Sequence, residues 1–546
     1  MGGLSSAPPG VFPPREPTLA RLADAVWDLV VIGGGISGAG VAQQAAQAGW
    51  RVLLAEQRDF AWGASSRSSK LVHGGLRYLK QGDLKTTLHA VRERERLLRE
   101  APALVHAQSF LWADCAHRRP GRWLMQAGLM VYDRMARQHG HRWADLADTH
   151  WLAPGLAPAG LRGSLVFQDA STDDARLVLR VLQEARRLGA VTLNDLGVRA
   201  VARSGHGHFG VQLHDTLTGR EHTVQARCVI NTTGAWGDRL RGDGGPLLRP
   251  LRGSHLLVPF WRLPVAQAIS FMHPADGRPV FFYPWEGATL IGTTDLDHRN
   301  DLDDEARITA AEARYLLDAV NDQFPGARLT AADVLSCFSG VRPVVADGHA
   351  QASRATREHL VRDEGGLITL AGGKLTTFRL MAQDALALAA PHVGRPWARS
   401  EAPVFAPAAA PDPGLPEAVR ERLQARYGSA AQALCAGAGA RQFERIADTP
   451  TLWIELLIAA RHEAVHHLDD LLLRRTRLGL LLPQGGEALL DEIQALCAPA
   501  LGWPAARWGA ERQRYRAIIA QHYQLPDMSQ IGLQPLPVKR RQLHHS

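Results

Sequence analysis

Two periodicities run along this chain, and the points where they change mark its elements. Leu29–Ile32 is uninterruptedly apolar, as a strand buried on both faces requires, and the glycine-rich segment GGGISGAG follows it directly. The alanine-rich stretch after it reads as a helix, and the apolar residues before Glu56 as a second strand. Helical spacing with dense charge over Asp83–Glu100 and Asp173–Leu188 predicts two surface helices, with a serine- and glycine-rich loop over residues 60–79 ahead of the first. Val191–Leu193 and Gln225–Asn231 predict strands, and from about Pro250 to Thr294 the segments SHLLVPF, PVFFYPW and ATLIGTTD turn β-rich. Ala310–Phe324 predicts a helix, Leu367–Leu370 a short strand, and the residues after it a glycine turn running into another helix. The domain organisation expected is a flexible tail over 1–26 and one large α/β body over 27–400, whose β-rich part spans about 250–335. A Pro/Ala-rich linker over 401–416 and an all-helical domain over 417–546 complete it.

Composition narrows the classes. With 46% hydrophobic and 21% charged residues in 546, the chain is an ordinary globular protein with room for several domains. No apolar run approaches the ~18–20 residues that span a bilayer. The prolines at 8, 9, 13, 14 and 17 do not form the apolar core of a signal peptide. Five scattered cysteines without C-x-x-C spacing argue against a metal site or a disulfide framework, and fit a reducing compartment. The net charge of +8 fits an anionic substrate or membrane surface. Nucleic acid fits less well, since no arginine cluster alternates with aromatic residues. Of the 62 basic residues only five are lysines, which draws attention to Lys70 and Lys374, each near a glycine pair. The Leu/Arg-rich helices Leu452–Ile458 and Leu468–Leu482 lean towards a membrane surface; the alternative for each is a buried helix–helix seam.

The chemistry begins at Gly33, Gly35 and Gly38, a G-x-G-x-x-G turn between strand and helix. That frame places a pyrophosphate on a helix N-terminus, and Glu56 at the end of the second strand can accept from ribose hydroxyls. The frame implies an adenine dinucleotide. Glycine turns after strands recur at 234–237 and 372–373, so the site is assembled from distant segments, which favours FAD over NAD.

The motifs GGGISGAG, SSRSSKLVHGGLRYL, RGSHLLVP, IGTTD, SGVRP and GGKLTTFR follow the order of FAD-dependent glycerol-3-phosphate dehydrogenases, and the chain resembles that family from Trp27 to Tyr523. HHLDDLLLRRTRLG looks like the family's helical cap. The resemblance implies an α/β fold: a Rossmann-like FAD-binding domain of the glutathione-reductase/D-amino-acid-oxidase type, a β-rich substrate region and a C-terminal all-helical cap domain. It further implies oxidation of sn-glycerol 3-phosphate at C2 to dihydroxyacetone phosphate, with hydride passing to FAD and electrons to quinone. The setting implied is the cytoplasmic face of the cell membrane, with peripheral attachment; the oligomeric state is left open, a homodimer being one option. The alternatives are an oxidase of the same substrate making peroxide, and an amino-acid or amine oxidase of the same fold.

For substrate the resemblance points to Arg77, Tyr78 and Lys374, with Thr376 and Thr377 at a helix start. His255 is the expected general base, and Arg342 the cation that stabilises developing charge on the C2 oxygen. Asp295 would orient either group, or merely end a strand. For FAD it points to Gly33, Gly35, Gly38, Glu56, Ser65, Ser66, Ser69, Lys70, His73, Gly74, Gly75, Gly234, Gly340, Gly372 and Gly373, with the cofactor held non-covalently. Two departures stand out: the N-terminal tail is long, and Phe378 stands where tyrosine is common. The absence of an EF-hand pattern after the helical domain fits a bacterial enzyme.

Overall fold

The computed structural model describes residues 12, 14–76, 83–116, 120–137, 140–204, 207–241, 245–346, 359–408 and 414–530. Its longer elements run α1 (Arg15–Ala20), β1 (Trp27–Ile32), α2 (Ile36–Gln47), β2 (Val52–Ala55), α3 (Leu84–Glu100), β3 (Val105–Cys115), α4 (Arg122–Ala136), β4 (Arg142–Ala144), β5 (Leu161–Thr172) and α5 (Asp174–Arg187). There follow β6 (Val191–Leu193), β7 (Leu196–Arg203), β8 (Phe209–Asp215), β9 (Glu221–Asn231), β10 (Leu248–Pro259), β11 (Ala268–Met272), β12 (Pro279–Trp285), β13 (Ala288–Gly292) and β14 (Leu296–Asp297). Then come α6 (Ala310–Gln323), β15 (Ser336–Val345), β16 (His359–Asp363), β17 (Leu367–Gly372) and α7 (Phe378–Val393). The C-terminal part contains α8 (Glu417–Tyr427), α9 (Trp453–His462), α10 (Leu490–Leu501) and α11 (Ala505–Ile518).

A run such as Leu29–Ile32 is stable only inside a sheet covered on both faces. It occupies the centre of the first sheet, ordered β16-β17-β9-β1-β2-β6, in which β17, β9, β1, β2 and β6 are parallel. β7 and β8 extend the β9 strand as an antiparallel meander. Helices α5 and α7 both pack against α2. The seat of α2 explains two of the fingerprint glycines. Gly33 has φ +109°, and a Cβ on Gly38 would overlap the Gly33 carbonyl oxygen.

The second sheet is wider than the β-rich region about 250–335 expected from sequence. Its order is β14-β10-β13-β12-β11-β3-β5-β4, with β15 also pairing β10. β3, β4 and β5 come from residues 105–172, before the first sheet is finished. The α/β body is therefore interleaved in sequence.

Three other expectations are corrected. Residues 14–26 are not a loose tail: α1 docks through the buried Leu19 and Leu22, and Arg15 bonds Asp215 at 2.6 Å. Within the expected linker, Val404 and Phe405 are buried in the main core, and the Val404 N–H donates to Glu100 at 2.8 Å. The leucines of 452–458 and 468–482 are interior, so these helices form a seam and not a membrane-facing surface. Among the described residues no helix is long and apolar enough to cross a membrane.

That seam carries a buried ionic cluster joining the two parts of the chain. Arg474 and Arg475 both bond Asp59, in the loop after β2, while Arg474 also meets Asp469 and Asp470 at 2.6 Å. Arg477 bonds Asp173 at 2.8 Å and also Asp174, at the start of α5. At the edge of the cluster, burial together with the nearby Asp470 and Asp59 pushes the Asp195 carboxyl up to about 8. Because the unfolded chain releases this proton near pH ~3.9, raised pH favours unfolding at this site, and the penalty grows between about pH 4 and 8. Asp195→Asn is expected to raise the melting temperature at pH 8, with the gain shrinking as the pH falls to 4. Thermal unfolding of the two proteins across that range checks the sign.

Candidate active site

The glycine turn after β1 opens into a cleft of about 3410 Å³ lined by residues of both sheets. At its nucleotide end the chain braces itself. Glu56 accepts from the Gly34 N–H at 2.6 Å and the Arg58 N–H at 2.9 Å, though burial still pushes its carboxyl above the usual range. The Ser65 hydroxyl accepts from the Ile36 N–H, in the first turn of α2, at 3.0 Å.

Most of the residues expected at the cofactor meet here. Gly33, Gly35, Glu56, Ser65, Ser69, His73, Gly75, Gly234, Gly340, Gly372 and Gly373 all line the cleft. Gly38, Ser66, Lys70 and Gly74 are not on its wall and serve the scaffold behind it. Gly74 leaves room for the Tyr132 hydroxyl, and its N–H donates to Asp169 at 3.0 Å. Lys70, expected to neutralise charge near the flavin, is fully buried; its ammonium bonds Asp174 at 2.9 Å and the Ser66 carbonyl at 3.0 Å. Burial lowers its pKa to about 8 against the pull of Asp174.

Of the substrate residues, Arg342, Lys374 and Thr376 line the cleft, and Thr377 is buried beside them. Arg77 and Tyr78 lie outside the described residues. Arg342 sits on β15, where its guanidinium donates to Asp295 at 3.0 Å and to the Thr293 hydroxyl at 2.9 Å. It lies over Gly253 of β10, at which any Cβ would collide with it. Asp295 therefore orients Arg342, one of the two roles considered for it. Lys374 ends the third glycine turn, directly before a short helical turn at Leu375–Thr377.

His255 is the exception. β10 pairs it with Gly292 on one side and Phe338 on the other, and the ring lies over Gly292 and stacks on Phe338 at 4.8 Å. It is fully buried and does not line the cleft. Its Nε2 meets the Ser69 hydroxyl at 2.9 Å. Burial, with Arg342 and Lys70 nearby, holds its pKa well below the ordinary histidine value. In this arrangement the ring reaches the cleft through the Ser69 hydroxyl.

Sequence reasoning missed Thr293 and the brace behind β10. There the buried Glu312 carboxylate accepts from Arg252, Ser254 and Thr294 at 2.7–2.8 Å. Its one local signal was the capping box Thr309–Glu312 at the start of α6.

Residues 28–385 match the model of FAD-dependent oxidoreductases, and residues 368–508 match the C-terminal domain of alpha-glycerophosphate oxidase. The aerobic glycerol-3-phosphate dehydrogenase of Staphylococcus aureus is 32% identical over 500 residues, covering 85% of this chain and 88% of its own. The chain belongs to the FAD-dependent glycerol-3-phosphate dehydrogenase family. A crystal structure of the glycerol-3-phosphate dehydrogenase from Bacillus halodurans, complexed with FAD, superposes with a TM-score of 0.72 at 28% identity, covering 92% of this chain and 96% of that one. Glycine oxidase from Geobacillus kaustophilus shares the fold, with a TM-score of 0.52 at 21% identity over 69% of this chain and 97% of its own. As in the family, FAD is the cofactor, and the site fits it. The cleft is several times larger than the ~300–1,000 Å³ of a drug-sized pocket, and the α2 N-terminus and Glu56 are part of its wall.

Proposed function

We propose that the protein oxidises sn-glycerol 3-phosphate at C2 to dihydroxyacetone phosphate and passes the electrons to a membrane quinone. The observation that carries this reading is the presence of Arg342 and Lys374 on the wall of the cleft that gathers all three glycine turns. Bound FAD supplies the two-electron acceptor. Gly33, Gly35 and the start of α2 would hold its pyrophosphate and Glu56 its ribose. Lys374, with the Thr376 hydroxyl, brings a point charge and a donor to the substrate phosphate, joined by Arg77 and Tyr78 in the reading from family resemblance. Arg342, clamped by Asp295 and Thr293, cannot lose its proton in ordinary conditions. Its part is to meet the C2 oxygen as negative charge develops there.

Quinone as acceptor is supported by one face of α4. Trp123 and Leu124 are 74% and 70% exposed, and Met130 and Val131 continue the same face two turns on. Arg134 and Arg137 stand exposed at the helix end, as suits an anionic lipid surface. Leu124 and Val131 also line the cleft, so a lipid-soluble acceptor would reach it from this side.

The purified enzyme is expected to turn over glycerol 3-phosphate with a soluble quinone, to make little peroxide in air, and to pellet with anionic vesicles. Trp123→Glu with Leu124→Glu should abolish the pelleting. Stoichiometric peroxide from a protein that ignores both vesicles and quinone would establish the oxidase reading instead.

A further inference from the structure

Ser69, unlike His255, lines the cleft, and it is the hydroxyl through which the buried imidazole faces the cavity. Several groups hold the backbone around that hydroxyl in place. The Tyr283 hydroxyl donates to the Ser69 carbonyl at 2.7 Å. The Ser68 N–H and hydroxyl both donate to Asp174, at 3.0 and 2.7 Å, and the Lys70 N–H donates to the Ser68 hydroxyl at 2.9 Å. The Lys70 ammonium closes the brace on Asp174, 4.7 Å above the Phe338 ring that carries His255.

The direction of the Ser69–His255 hydrogen bond decides what the pair can do. The His255 Nδ1 is buried and has no hydrogen-bond partner among the described residues. If the ring proton sat on Nδ1, a buried N–H would be orphaned, the rarer and costlier arrangement. With the proton on Nε2, the ring donates to Ser69 and leaves a bare nitrogen. The charged groups facing the ring, Arg342 and Lys70, are both cations, which a bare nitrogen tolerates better than a further positive charge. A serine hydroxyl that accepts from His255 must direct its own proton elsewhere. Ser65, which accepts from the first N–H of α2, and His73 both line the cleft, with Ser69 between them in sequence.

We propose that His255 is a positioning residue: neutral and protonated on Nε2, it turns the Ser69 hydroxyl so that its proton points into the cleft, towards the space that FAD would fill. This rests on the reading that FAD occupies the cleft, but not on the identity of the substrate.

A reduced flavin ring is richer in electrons than the oxidised one, so a donor at its edge favours reduction. Ser69→Ala is expected to make the reduction potential more negative by about one tenfold step in the two-electron equilibrium, about 30 mV. His255→Phe should give the same shift, and the double variant no more than either alone, because the two residues act as one unit. His255→Gln, whose amide can replace the Nε2 donor, should restore most of the potential. In FAD-free protein, nitrogen NMR should show the imidazole of His255 protonated on Nε2 and unchanged between pH 6 and 9.

An Nδ1-protonated ring, a titration near ~6.5, or a potential that moves with Ser69→Ala but not with His255→Phe would overturn the proposal. If His255→Phe does not fold, His255→Gln and the NMR measurement still decide it. A protein that holds FAD but is not reduced by glycerol 3-phosphate would refute the proposed activity and leave this test intact.

Discussion

Replacing Arg342 with Ala is expected to slow flavin reduction by glycerol 3-phosphate about 10²–10³-fold, the size of effect seen when a donor aimed at developing charge is removed. The guanidinium is held at two points, by Asp295 and Thr293, and lies close over Gly253. Its geometry is therefore set before substrate arrives, so little reorganisation accompanies charge development. If Arg342 acts on the transition state alone, kcat and kcat/KM fall together and KM stays nearly constant. Arg342→Lys keeps the charge but not the fork that satisfies Asp295 and Thr293 together, and should recover only part of the rate. Stopped-flow reduction without oxygen measures this step apart from the acceptor. A rise in KM with kcat unchanged would make Arg342 a binding residue only.

The second large effect is on stability. Asp59 accepts from Arg474 and from both terminal nitrogens of Arg475, the latter at 2.7 Å, and all three side chains are buried. Asp59→Ala leaves two interior guanidiniums short of a counter-charge, and removing one partner of such a group costs about 3–5 kcal/mol. Against a total of ~5–15 kcal/mol for a typical protein, that is a large share. Although burial alone would raise the Asp59 carboxyl, Arg475 and Arg474 hold it below its ordinary range. Its contribution is therefore present above the unfolded value of ~3.9 and is lost as the pH falls through the folded one. Unfolding by urea should show a large deficit for Asp59→Ala at pH 7 that narrows in acid. The reverse trend would mean that the cluster is not held together by the ionised carboxylate.

What could be read in advance was local. The strand–turn–helix–strand unit, Glu56 and the later glycine turns announce themselves within a few residues, because backbone approach and helix ends leave short signatures. β3 and β5 escaped notice because their polar positions, such as Gln108, Asp114 and Asp169, break the alternation while being buried by partners far along the chain. Arg474 and Arg475 belong to a Leu/Arg-rich run that leans towards a membrane surface when read alone, because their counter-ion Asp59 is more than 400 residues away. His255 was found by its motif, but its burial depends on the register of β10 against β13 and β15. Only that register places Ser69 between the ring and the cleft.

The central claim is that this cleft joins FAD to glycerol 3-phosphate. Its most direct test is to add glycerol 3-phosphate to the yellow protein without oxygen and follow the oxidised flavin band. The expected result is complete bleaching by one equivalent of substrate per FAD, with glycerol itself far less effective because it offers nothing to Lys374. A band that persists with glycerol 3-phosphate, or bleaches equally with an amino acid, would contradict it.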